Sequence, residues 1–105
     1  MESNRSSDST IYVGKKGVMS YVLAVVTQFN AGADEVVLKA RGKTISRAVD
    51  VLEIVKNKFI QEVIVEGISS ATDDMVSDEG RTTKVSTIKI VLRKPPKIES
   101  KGPTE

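Results

Sequence analysis

The chain has no cysteine, no histidine and no tryptophan. Without cysteine there are no disulfides, no thiolate zinc sites and no cysteine nucleophile. Without histidine it lacks the commonest general base near neutral pH and the commonest metal ligand. Two phenylalanines and two tyrosines are the only aromatics, so a broad base-stacking platform is not expected. The longest strictly apolar run, Tyr21 to Val26, is far too short to cross a bilayer, so no membrane partner is expected. The N-terminus is polar and lacks the apolar stretch of a secretory signal. A chain of 105 residues, 39% hydrophobic and 29% charged, reads as one soluble globular domain with a modest core. These absences point to an intracellular binding module and away from an enzyme. No catalytic residue, metal or cofactor is expected.

The net charge is only +2, from 16 basic and 14 acidic side chains. Its distribution says more. Between Gly14 and Arg47 stand Lys15, Lys16, Lys39, Arg41, Lys43 and Arg47, opposed only by Asp34 and Glu35. A near-neutral average thus conceals a basic face.

Residues 1–10 are polar and Ser-rich, and residues 95–105 carry Pro95-Pro96 and a further proline. Both read as disordered tails flanking a domain at 11–94. An Asn4-Arg5-Ser6 triplet matches a glycosylation acceptor, but without an export signal it reads as chance. Ile11-Tyr12-Val13 predicts a short strand ending at Gly14. Val18, Val22, Val25, Val26 and Phe29 then recur at helical spacing. Met19, Leu23 and Ala24 widen that stripe, so this helix is expected to be well buried. Asn30-Ala31-Gly32 stops it. Val36-Val37-Leu38 predicts an inner strand that Gly42 breaks. A second helix from about Thr44 places Ile45, Ala48, Val49, Leu52, Val55 and Phe59 on one face. Two β-branched runs, Glu62 to Val76 and Thr82 to Lys94, flank a Ser77-Asp78-Glu79-Gly80 turn.

The order β-α-β-α-β-β predicts an α/β two-layer sandwich: a four-stranded mixed sheet with both helices on one face. The last hairpin is too long for a compact domain, so its tip should protrude. Val63, Val65, Ile88, Ile90 and Leu92 exceed what two helices are expected to cover. Dimerisation through the hairpin strands or the second helix would bury the surplus.

Two basic clusters lie at strand-to-helix turns. Lys15-Lys16 precedes the first helix, and Lys39-Ala40-Arg41-Gly42-Lys43-Thr44 precedes the second. Cations beside helix N-termini suit phosphate. Gly42-Lys43-Thr44 looks like the close of a P-loop, but Val37 stands where that motif needs glycine, so nucleotide hydrolysis is rejected. Lys39, Arg41 and Lys43 alternate and would share one side if the strand continued. Arg81 and Lys84 near the hairpin tip suit groove contact, with Asp73, Asp74, Asp78 and Glu79 opposing it.

Two stretches resemble the archaeal Alba family. Tyr12 to Val22 is similar to the family's opening, and Lys39 to Asp50 to its second signature. Glu53-Ile54-Val55, Phe59 and Val85-Ser86-Thr87-Ile88 extend the resemblance from about Ile11 to Lys94. It implies a small dimeric chromatin protein of the β-α-β-α-β-β fold. Such a protein coats double-stranded DNA without sequence preference and also binds RNA, in the cytoplasm on the chromosome or nucleoid. It implies that Lys15, Lys16, Arg41 and Lys43 line the body of the binding face, that Tyr21 contacts RNA, and that the arms follow the minor groove. With Lys39, Arg47, Arg81 and Lys84 these form the candidate nucleic-acid-binding set. The resemblance further implies acetylation of Lys15, hence a lysine acetylase and a deacetylase as partners. It implies a homodimer, or a heterodimer with a paralogue, and contact between dimers at Phe59. Two departures stand out: Gly17 replaces a frequent proline, which loosens that turn, and Thr44 replaces a frequent alanine and is placed to cap the second helix. An RNA-binding accessory subunit in RNA processing and a protein-only interaction domain are the competing classes.

Overall fold

The computed structural model describes residues 9–95. Strand β1 (Thr10–Tyr12) leads to helix α1 (Val18–Asn30), β2 (Glu35–Arg41), α2 (Ile45–Ile54), β3 (Ile64–Val76) and β4 (Thr82–Arg93). β1 runs parallel to β2, and β4 lies antiparallel between β2 and β3, giving the spatial order β1-β2-β4-β3. This is the mixed four-stranded α/β sheet expected.

Alternation along β2 decides which face the helices cover. Val36, Leu38 and Ala40 are buried opposite Leu92, Ile90 and Ile88 of β4. Val22, Val25 and Phe29 of α1 and Ala48, Val51 and Leu52 of α2 close one core over them. Each fully buried Val, Leu, Ile or Phe among them contributes about 1.5–3 kcal/mol of burial. Glu35, Lys39 and Arg41, offset by one residue, face the side without helices.

The surface of α1 corrects one expectation. Met19 and Leu23 are 45% and 51% exposed. In a two-layer fold a helix has one covered side, and these two residues lie off it. The second helix also differs. Its buried face is Ala48, Val51, Leu52 and Val55, while Val49 and Phe59 are exposed. The chain leaves α2 through a π turn, Val55–Phe59, in which Ile60 N–H donates to Val55 O at 2.8 Å. An α-helical register would return Phe59 beneath Val55. The extra residue of the π turn rotates Phe59 outward and lets Ile60 pack on the core instead.

Of the apolar residues expected to outrun the helices, Val63, Ile90 and Leu92 are buried, and Val65 and Ile88 pack half-buried on the core. The surplus apolar surface lies elsewhere, at Val49, Phe59, Ile64 and Ile68. The N-terminal boundary shifts as well. Thr10, expected in a tail, opens β1, and Ser9 O accepts the Val37 N–H at 2.9 Å. The remainder of both expected tails, 1–8 and 96–105, lies outside the described residues, as does the Asn4 triplet.

The hairpin protrudes. The molecule measures 63 × 33 × 21 Å with a radius of gyration of 16.1 Å, against about 12 Å for a compact domain of this size. Every residue from Glu66 to Lys84 is exposed. At the arm's base a bulge between Val65 and Gly67 leaves Glu66 as an extra residue. Its carboxylate accepts two bonds from Arg93 Nη2, at 2.9 and 3.0 Å. That bond and the carboxylate's charge raise the pKa of Arg93, so this basic residue at the arm's base is already engaged.

Candidate nucleic-acid interface

Because β1 and β2 are parallel neighbours, their C-terminal ends share one edge of the sheet. Each end feeds a helix. The loop after β1 carries Lys15 and Lys16, and α2 starts just beyond Arg41 and Lys43. Neither α1 nor α2 has an acidic residue in its first turn, so neither helix neutralises its own positive end.

The lysine loop is held by its backbone from both sides. Tyr21 is buried, and its hydroxyl accepts the N–H groups of Gly14 at 2.9 Å and Lys16 at 3.2 Å. From α2, Arg47 Nη1 donates to Lys16 O at 2.7 Å and Lys15 O at 3.3 Å. The two lysine side chains stay exposed. The fold thus presents two cations on a fixed loop, and spends a tyrosine and an arginine on fixing it.

This arrangement reassigns two candidate residues. Tyr21, expected at an RNA contact, has its ring in the core and its hydroxyl under the loop. Arg47 is a positioning residue, which its charge alone does not reveal. Lys43 also departs from expectation. Gly42 has φ +60°, a left-handed conformation that turns β2 into a 3-10 turn, Gly42–Thr44. The alternation of Lys39 and Arg41 therefore stops before Lys43, which stands exposed at the turn. Thr44 does not cap α2 with its side chain. Its hydroxyl donates to Arg41 O at 2.9 Å and accepts the Arg41 N–H at 3.3 Å, closing the turn instead.

Lys39 lies on the helix-free face, its ammonium 5.9 Å from the ring centre of Tyr12. Arg41 Nη1 reaches the sulfur of Met75 on the arm at 3.1 Å. On the arm itself Lys84 pairs with Asp74 at 2.8 Å, both well exposed. Such a pair is worth about 0–1 kcal/mol, but it offsets the charge of Lys84 locally. Arg81 stands exposed at the tip beside Asp78 and Glu79. Phe59 is 43% exposed and outside the core. Tyr12, which sequence reasoning did not single out, is 64% exposed. The signal was present, since strand alternation puts Tyr12 on the opposite side from Ile11 and Val13.

Among the described residues no helix is long and apolar enough to cross a membrane, and no group of three or more metal-ligating side chains forms.

The sequence profile of the Alba family matches residues 9–76. The chain is 54% identical over 88 residues to the DNA/RNA-binding protein Alba of Methanococcus maripaludis, covering 83% of this chain and 99% of that protein. The chain belongs to the Alba family. A second relative, the DNA/RNA-binding protein Alba of Methanocella arvoryzae, is 50% identical over 88 residues, covering 84% of this chain and 92% of its own length. The solved structure of Alba from Thermoplasma volcanium superposes with a TM-score of 0.77 at 50% identity, covering 81% of this chain and 99% of that one. The Alba match thus includes β1, the lysine loop, the β2–α2 turn and β3.

Proposed function

We propose that this protein binds double-stranded DNA, and RNA, through the edge formed by Lys15, Lys16, Arg41 and Lys43, without reading sequence, as an architectural protein of the chromosome. The observation that carries this reading is the clamped lysine loop beside the β2–α2 turn. Two exposed cations and two helix N-termini meet on one edge. That edge offers charge and backbone N–H groups, which suit phosphates, and few side chains that distinguish bases. The relatives' name, DNA/RNA-binding protein Alba, agrees with it.

The exposed apolar side chains Val49, Ile64 and Ile68 are the surface a second copy would cover, leaving Phe59 outside that pairing. Pairing by two-fold symmetry doubles the basic edge and raises affinity by linking two weak sites. Phe59, turned out by the π turn, is assigned to contact between dimers side by side on DNA. Lys15 is exposed on that edge, so its acetylation would remove a phosphate contact without disturbing the core.

Binding of unrelated duplexes of equal length across a salt series tests the reading. If a dimer neutralises about six phosphates, log K falls with log salt at a slope of about −5. Affinities for the different duplexes agree within a few-fold. A flat salt dependence, or one sequence bound about a thousandfold tighter than the rest, which is the range of sequence-specific readers, overturns it.

A further inference from the structure

The sheet face without helices carries a feature that the basic edge does not use. A groove of about 740 Å³ runs there, lined among others by Tyr12, Lys39, Arg41, Ser69, Thr87 and Lys89. The strand register explains its composition. Tyr12 is opposite Lys39, Lys39 is opposite Lys89, and Lys89 is opposite Ser69. Directly opposed residues point to the same side, so these four form one row across all four strands. The next row is Arg41, Thr87 and Ala71. Gly67, Ser69 and Ala71 on β3 are small, which leaves the floor concave.

We infer that this groove binds a single-stranded segment of RNA, with one base stacked on Tyr12 and the following phosphates on Lys39 and Lys89. The inference rests on the nucleic-acid reading of the adjacent edge, which joins the groove through Lys15 and Arg41. Charge complementarity selects a polyanion. Lys15, Lys39, Arg41 and Lys89 line the groove against a single carboxylate, Asp73, towards the arm. The exposed ring selects unpaired bases, because the bases of a duplex are already stacked on each other. Tyr12 is 64% exposed, with the Lys39 ammonium 5.9 Å from its ring centre, the outer limit of a cation–π contact. A base displaces that lysine at little cost and frees it for phosphate. Three strand gaps separate Tyr12 from Ser69, about 14 Å, room for about two nucleotides. The Ser69 hydroxyl, and the Thr87 hydroxyl, which donates to Ala71 O at 3.3 Å and is left as an acceptor, lie on the same face and select RNA, because the 2′-hydroxyl donates and accepts hydrogen bonds.

The test compares the full chain and its variants on three probes: a short mixed-sequence single-stranded RNA, the DNA strand of the same sequence, and a blunt DNA duplex. Tyr12→Ala is expected to weaken RNA binding about tenfold or more, the loss of one stacked base, and to leave duplex affinity unchanged. Tyr12→Phe keeps the ring and is expected to bind RNA as the unaltered chain does. Lys89→Gln lowers RNA affinity and the RNA salt slope alone. An unchanged melting temperature shows that these exposed substitutions leave the fold intact. Unchanged RNA binding in Tyr12→Ala overturns the inference, as does an equal loss on the duplex. Equal affinity for the DNA strand, with the same loss in Tyr12→Ala, overturns the choice of RNA. Failure of the unaltered chain to bind the duplex counts against the basic edge, and not against this face.

Discussion

Replacing Tyr21 by phenylalanine removes one oxygen and nothing else from the core. That oxygen accepts two N–H groups, Gly14 at 2.9 Å and Lys16 at 3.2 Å. An ordinary hydrogen bond contributes about 0.5–1.5 kcal/mol. Lys16 is exposed, so water replaces its longer bond at small cost. Gly14 is half-buried, and its N–H loses most of the full value. The expected loss of stability is therefore about 1–2 kcal/mol, read by urea denaturation. The functional signature is more specific. No cation is removed, so the slope of log K against log salt stays the same. Affinity falls, by no more than about tenfold, because the loop must be ordered on binding. Duplex DNA and RNA lose equally, since the hydroxyl acts through the loop. Hydrogen exchange at the Gly14 amide accelerates. Unchanged stability with unchanged Gly14 exchange refutes the clamp. A loss confined to RNA refutes the argument that Tyr21 acts from beneath the surface.

Lys15→Gln removes charge from an exposed side chain and leaves Tyr21 and Arg47 holding the backbone. The salt slope is expected to become shallower by about 2 for a dimer, at about 0.9 per phosphate contact, with the melting temperature unchanged; an unchanged slope contradicts it. Phe59→Ala is expected to cost less than about 2 kcal/mol, below the 3 or more of a buried phenylalanine, and to abolish cooperative coating of long DNA in a gel-shift titration. Retained cooperativity contradicts its role between dimers.

The elements were legible where the physics is local. The apolar run Val36-Val37-Leu38 in β2 and the 3.6-residue spacing in α1 both lie where the pattern puts them. Phe59 was misleading because a π turn depends on how the chain packs into β3, and spacing alone continues the helix through it. Met19 and Leu23 extend an apolar stripe, but only tertiary packing decides how much of a stripe is covered. The basic residues of the edge were visible as charge at strand-to-helix turns. The roles of Tyr21 and Arg47 were not, because both act on backbone groups 5 to 32 residues away in sequence. Composition identifies an arginine as a cation and says nothing of which carbonyl it meets. Tyr12 and Lys89 come together only through the register of β1, β2 and β4, a long-range fact that no window of sequence contains.

The central claim is that nucleic acid lies on the edge where β1 and β2 end. A chemical-shift titration of the isotopically labelled chain with a short DNA duplex measures it directly. The largest backbone shifts are expected at Gly14–Gly17 and Arg41–Thr44, with the exposed side of α1 around Leu23 undisturbed. Shifts concentrated on α1 or on the acidic hairpin tip, with the lysine loop silent, would contradict the account.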